Sequence, residues 1–154
     1  MNKKYFTKDV LGLEQQKLEL KALVVLMRAS QTVQEIVKHD MGQYGVNPTE
    51  FAVLELLYHK GEQPIQHIGK KILLASSSIT YVVDKLEAKG FVERKACPKD
   101  RRVTYAAITE QGKTFIEEAF PKHEKTIESI FGHLSEAELE KTIELLKKIG
   151  LAKH

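Results

Sequence analysis

Between Pro64 and Thr109 the chain passes through two amphipathic helical stretches and then two β-capable runs joined by a basic turn, an order that constrains the fold more than any other feature. Pro64 suits a first helical position, and Ile65, Ile68 and Ile72 recur at the spacing of one buried stripe. A second helix is expected from Ser76, whose hydroxyl can accept from the open amides of a first turn. Ile79, Val82, Val83 and Leu86 then follow at i, i+3, i+4 and i+7, giving it one apolar face. The opposite face carries Ser77, Ser78, Thr80, Tyr81, Asp84 and Lys85, small hydrogen-bonding side chains with one aromatic among them. Such a surface suits base edges and phosphates in a DNA major groove, so this is the expected recognition helix.

Lys89-Gly90 reads as a helix stop, and FVERKA and RVTYAAIT as two strands closed by Cys97-Pro98-Lys99-Asp100-Arg101. The net charge of the 154-residue chain is only +3, but Lys85 to Arg102 holds seven bases against three acids, which leaves the remainder close to neutral. The hairpin is therefore where charge concentrates. Lys85, Ser76, Ser78 and the wing bases Arg94, Lys99, Arg101 and Arg102 are the expected phosphate contacts, and Ser77, Thr80 and Tyr81 the expected base readers. Arg101 is favoured over Arg102 for the minor groove. Asp84 would repel phosphate unless neutralised, so it is expected to pair with Arg102 or Arg94, and Asp100 to support the wing.

Outside this region, Leu18 to Met41 is free of Gly and Pro and reads as one long helix whose greasy surface is too broad for a single contact. Asn47-Pro48-Thr49-Glu50 is a capping signature for the next helix, which should end at Lys60-Gly61. Thr109 should open a further helix, bent or briefly interrupted at Pro121, and Ser135-Glu136-Ala137-Glu138 a last one closed by Gly150. The fold class is mainly α with a small β-hairpin. Spare apolar surface at both ends of the chain predicts burial against a second copy.

The run LLASSSITYVVDKLEAKGFVERKACPKDRRVTYAAITEQG resembles the core of the MarR family of bacterial winged helix-turn-helix regulators. V-D-K-L-E-x-K-G, Arg94, P-K-D-R-R and I-T-x-x-G carry the match. The resemblance implies one MarR-type domain over 1–154, with a winged helix-turn-helix DNA-binding lobe at 47–109 and dimerisation helices at 11–46 and 110–150. It implies an obligate homodimer, a repressor acting on double-stranded DNA at an inverted-repeat operator whose half-sites lie one turn, roughly 34 Å, apart. It also implies a small aromatic or phenolic effector bound where the dimerisation helices meet the lobe, where Met27, His39, Tyr44 and Tyr58 could line a cleft; core packing is the competing reading of those four.

Cys97 lies among Lys95, Lys99 and Arg101, and cations lower a thiol's pKa, so an alternative reading is a redox- or electrophile-sensing repressor. Against it, a lone cysteine has no resolving partner in its own chain, and redox-sensing relatives usually carry theirs in the first helix. A winged-helix protein-protein adaptor is the other rival, one that would show no salt-sensitive duplex binding. Catalysis is not expected: there is no phosphate-cradling glycine loop, nucleophile elbow or HExxH. Six histidines with no i, i+4 pair give no expectation of a metal or cofactor. A single cysteine, no membrane-length apolar run and a start lacking signal-peptide character fit the cytoplasm.

Overall fold

The structure, a computed structural model, describes residues 17–72 and 78–151. In order these form α1 (Leu18–Gln43), α2 (Pro48–Lys60), β1 (Gln63–Pro64), α3 (Ile65–Lys71), α4 (Ile79–Ala88), β2 (Val92–Ala96), β3 (Thr104–Ile108), α5 (Glu110–Phe131) and α6 (Glu136–Leu151). The chain divides into two compact units between Ile36 and Val37. The first contributes the opening turns of α1, with Leu18, Leu20, Leu23, Val25, Met27 and Ile36 all exposed.

The second unit has its own core. Leu54 and Leu57 of α2, Ile68 of α3, Val83 and Leu86 of α4, Val92 of β2 and Ile116 of α5 are all buried in one cluster. Each large aliphatic side chain so buried contributes about 1.5–3 kcal/mol, which makes this cluster the main force holding α4 in place. The helix signals read from sequence hold at several ends. The Asn47 side chain accepts from the Glu50 amide at 2.8 Å while the Glu50 carboxylate accepts from the Asn47 amide at 2.9 Å. Ser135 and Glu138 form the same reciprocal arrangement at α6.

Some expectations are corrected. α5 runs unbroken through Pro121. The missing proline amide removes one bond in a 22-residue helix whose Ile116 and Ala119 are packed in the core, and that packing outweighs the roughly 3 kcal/mol such a residue costs a helix. α6 likewise continues past Gly150 to Leu151. Pro64 precedes α3 and belongs to the two-residue β1, which pairs antiparallel with β3 through Gln63↔Ala106 and Pro64↔Tyr105. The sheet is therefore three-stranded, in the order β1-β3-β2, with the hairpin in the register Val92↔Ile108 to Ala96↔Thr104.

The hairpin's root is tied to α4 and α5 at close quarters. The Thr109 hydroxyl donates to the Gly90 carbonyl at 2.6 Å and accepts from the Gly112 amide at 3.0 Å, while the Thr109 amide donates to the Phe91 carbonyl. Phe91 and Phe115 stack with ring centroids 4.6 Å apart. Gly112 is required by space: a Cβ there would stand 2.2 Å from the Phe91 carbonyl oxygen.

Elsewhere in the unit, the buried Asp40 carboxylate accepts from Thr126 at 2.9 Å and from Tyr44 at 3.0 Å, with His123 Nδ1 at 2.8 Å. Burial pushes the Asp40 carboxyl up, but the bonds from His123, Thr126 and Tyr44 outweigh it and hold the group below its ordinary 3.8.

Gly112→Ala should lower stability by about 1–3 kcal/mol, because the clash with backbone exceeds the roughly 1 kcal/mol that alanine gains in a helix. Denaturant midpoints at fixed protein concentration measure it, and an unchanged midpoint contradicts the close approach. Asp40→Asn should cost about 1–2 kcal/mol at pH 7. Since the folded carboxyl titrates below 3.8, that contribution is whole above this pH and is lost as the pH falls towards the folded value, so parent and variant melting curves should converge in acid.

Candidate nucleic-acid interface

α4 owes its position to Val82, Val83 and Leu86, which are buried, and so turns Thr80, Tyr81, Asp84 and Lys85 outward together. Its first residue is Ile79, with Ser78 at the cap making no side-chain capping bond. Ser76 and Ser77 lie outside the described residues. Tyr81 is 57% exposed and does not pack beneath the wing; the Lys85 ammonium sits over its ring, 5.3 Å from the centroid. Phenol and cation are thereby presented as one unit.

Asp84 and Arg94 meet as one of the two expected pairings. Arg94 Nη2 donates to Asp84 Oδ1 at 2.5 Å, and Nη1 donates to Glu87. Partial burial lowers the guanidinium's pKa, but the bonds from Asp84 and Glu87 raise it further, so the cation is held firmly between wing and helix. Glu87 was not anticipated. Its signal was available, since Asp84 and Glu87 stand three apart on one helical face and frame a single fork on the adjoining strand.

Arg102 is engaged elsewhere. Asp100 Oδ1 accepts from the Arg102 amide at 3.0 Å, two residues on, which shapes the turn as aspartates do. Both carboxylate oxygens also take the Arg102 guanidinium at 3.1 Å. The Arg102 bonds hold the Asp100 carboxyl below its ordinary range. Arg101 and Lys99 are exposed at the same tip, and among the described residues neither has a carboxylate within ion-pair distance. Cys97 is half-buried at the turn, its amide donating to the Val103 carbonyl at 3.0 Å.

The remaining candidates have separate surroundings. Met27 is 62% exposed on α1, and His39 is exposed beside Gln43. The Tyr44 phenol donates to Asp40 and, by burial and that bond, is pushed above its ordinary value. The Tyr58 phenol donates to Glu117 at 2.9 Å, which raises it likewise. No group of three metal-ligating side chains occurs among the described residues, and none of their helices is long and apolar enough to cross a membrane.

The chain has counterparts among known proteins. The MarR family model matches residues 46–104. The HTH-type transcriptional regulator MhqR of Bacillus subtilis is 54% identical over 132 residues, 86% of this chain and 91% of that protein. The chain belongs to the MarR family. YkoM, an uncharacterised HTH-type transcriptional regulator of the same organism, is 46% identical over 82% of each chain. The MarR fold is matched by Streptomyces coelicolor Sco3205, a MarR family regulator solved in complex with DNA, at TM-score 0.78 and 18% identity over 88% of this chain and 89% of that one. It is matched also by Bordetella bronchiseptica BpsR, at TM-score 0.79 and 24% identity over 90% and 99%. This MarR protein is accordingly a DNA-binding transcriptional regulator and not an enzyme.

Asp84→Asn separates two readings of the acidic residue on α4. If Asp84 acts as a repulsive charge, its neutralisation strengthens DNA binding. If it holds Arg94, binding weakens, and the expected loss is about two- to fivefold, the scale of a part-exposed ion pair. Fluorescence anisotropy with a selected duplex decides the sign.

Proposed function

We propose that this regulator is a homodimeric repressor that grips an inverted-repeat operator and releases it on binding a small aromatic or phenolic effector. The observation that carries the DNA-binding mode is the division of labour at the wing tip: Asp100 engages Arg102, leaving Arg101 exposed and without an ion-pair partner among the described residues. Arg101 enters the minor groove, where narrow A·T tracts concentrate negative potential. Thr80, Tyr81 and Ser77 read base edges; Lys85, Lys99, Ser76 and Ser78 hold phosphates. Arg94, Asp84 and Asp100 position the others. Arg94 is turned to two carboxylates, and its contribution to DNA binding is to fix the wing against α4.

The dimer is supported by large apolar side chains standing in water at both ends of the chain, Leu18, Leu23 and Met27 in α1 and Ile143, Leu146 and Ile149 in α6. A solitary protomer would expose them at a cost of about 25 cal/mol per Å². Effector release is supported by BpsR, whose DNA binding is regulated by 6-hydroxynicotinic acid. A chromosomal partner puts the protein in the cytoplasm.

Selection of bound duplexes from random DNA should return a palindrome with half-site centres about 10 base pairs apart. Arg101→Ala should weaken that operator by about tenfold, most where the flanks are A·T-rich, and binding should fall steeply between low and physiological salt. Ultracentrifugation should find dimers. Lone protomers, or an Arg101→Ala variant of parental affinity, would overturn the reading.

A further inference from the structure

At the end of α4 remote from its first turn stands a lysine whose reach is unusual for a surface residue. Lys89 follows the last residue of α4, and its side chain is 33% exposed. Its ammonium donates to Glu50 Oε2 at 2.8 Å and to the Gly45 carbonyl at 2.7 Å. Glu50 is 4% exposed and already holds the first turn of α2 through the Asn47 amide. Gly45, at φ 76°, lies in the short loop between α1 and α2. One cation thus ties the C-terminal end of α4 to both the α2 cap and the loop before it.

The anchor is itself held. Tyr44, next to Gly45, donates to Asp40, which also accepts from Thr126 of α5. Lys89 therefore takes hold of a loop that is also tied to α5 through Tyr44, Asp40 and Thr126. The hydrophobic face of α4 sets its distance from α2 and α3, but apolar contacts are non-directional and resist rotation or sliding of a helix weakly. A charged hydrogen bond at one end supplies the direction that packing lacks.

We infer that Lys89 is a positioning residue for operator recognition, setting the tilt of α4 through Glu50 and the Gly45 carbonyl without touching DNA. The inference rests on the proposed reading of α4 as the DNA-facing helix. A helix tilted wrongly still lies near phosphates but no longer aligns its side chains with base edges, so the loss falls on specific binding.

The test compares Lys89→Ala, Lys89→Arg, Glu50→Gln and, as a direct-contact control, Lys85→Ala in the full chain, well below each melting midpoint. Each is titrated by anisotropy against the selected operator and a scrambled duplex over a range of salt. Lys89→Ala and Glu50→Gln should each weaken the operator about tenfold, the scale of one mismatched base pair, while scrambled DNA changes by less than about twofold. Their salt slopes should match the parent, whereas Lys85→Ala should weaken both duplexes and lower the slope by about 0.9. The double variant Lys89→Ala with Glu50→Gln should lose little beyond either single, and Lys89→Arg should restore most of the affinity. Glu50→Gln keeps an oxygen for the Asn47 amide and so serves if Lys89→Ala folds poorly.

A Lys89→Ala variant that loses both duplexes equally with a reduced slope would make Lys89 a phosphate contact. Variants that melt earlier yet keep the parental ratio of operator to scrambled affinity would make it a stability clip only. Either result overturns the inference while leaving the α4 reading standing. If Lys85→Ala changes neither duplex, the α4 reading itself fails, and this inference with it.

Discussion

The Thr109 hydroxyl stands where the wing returns and the long helix α5 begins, and it bonds to the turn that follows α4 and to the first turn of α5. It donates to Gly90 and accepts from Gly112, while its own amide reaches Phe91. A hairpin fixed only at its strands could swing about its base, because two strands alone are marginally stable. Here the base is stapled by hydrogen bonds, by the Phe91–Phe115 stack and by the absence of a side chain at Gly112, which lets the α5 backbone come against the Phe91 carbonyl. The placement of the wing depends on that junction.

Charge is arranged with a similar division. A strongly basic surface would bind any polyanion, yet this chain carries carboxylates among the cations of α4 and the wing. Asp84 and Glu87 orient Arg94; Asp100 orients Arg102 and shapes the turn. Each acid reduces raw attraction to phosphate and in exchange removes rotamer freedom from an arginine, so geometry rather than net charge decides which cations are presented. The modest overall charge of +3 is consistent with a protein that discriminates between sequences.

Much of this was legible in the residues, and what was legible shares a cause. Helix ends at Asn47, Lys60-Gly61, Lys89-Gly90, Thr109 and Ser135 are written in local chemistry, as are the hairpin and the outward face of α4. The MarR resemblance extended the reading to the relatives that bear it out. Contacts between distant positions were harder. Asp40 meets His123 across 83 residues, and Glu50 meets Lys89 across 39; neither pair has a spacing rule, and each looks like an ordinary surface residue until the fold brings them together. β1 was invisible because two residues cannot show alternation. No interruption occurs at Pro121, because its local preference is outweighed by tertiary packing, the usual limit on propensity.

The pairing of β1 with β3 joins parts of the molecule that the chain order keeps apart. β1 runs directly into α3, the helix preceding α4, while β3 is the returning limb of the wing and the middle strand of the sheet. Backbone bonds between them make the wing and the leading helix a single lever. On the proposed reading of the wing, a groove too wide or too narrow that displaced the hairpin would also displace the foot of α3, so duplex width would bear on the helix pair before any base was touched.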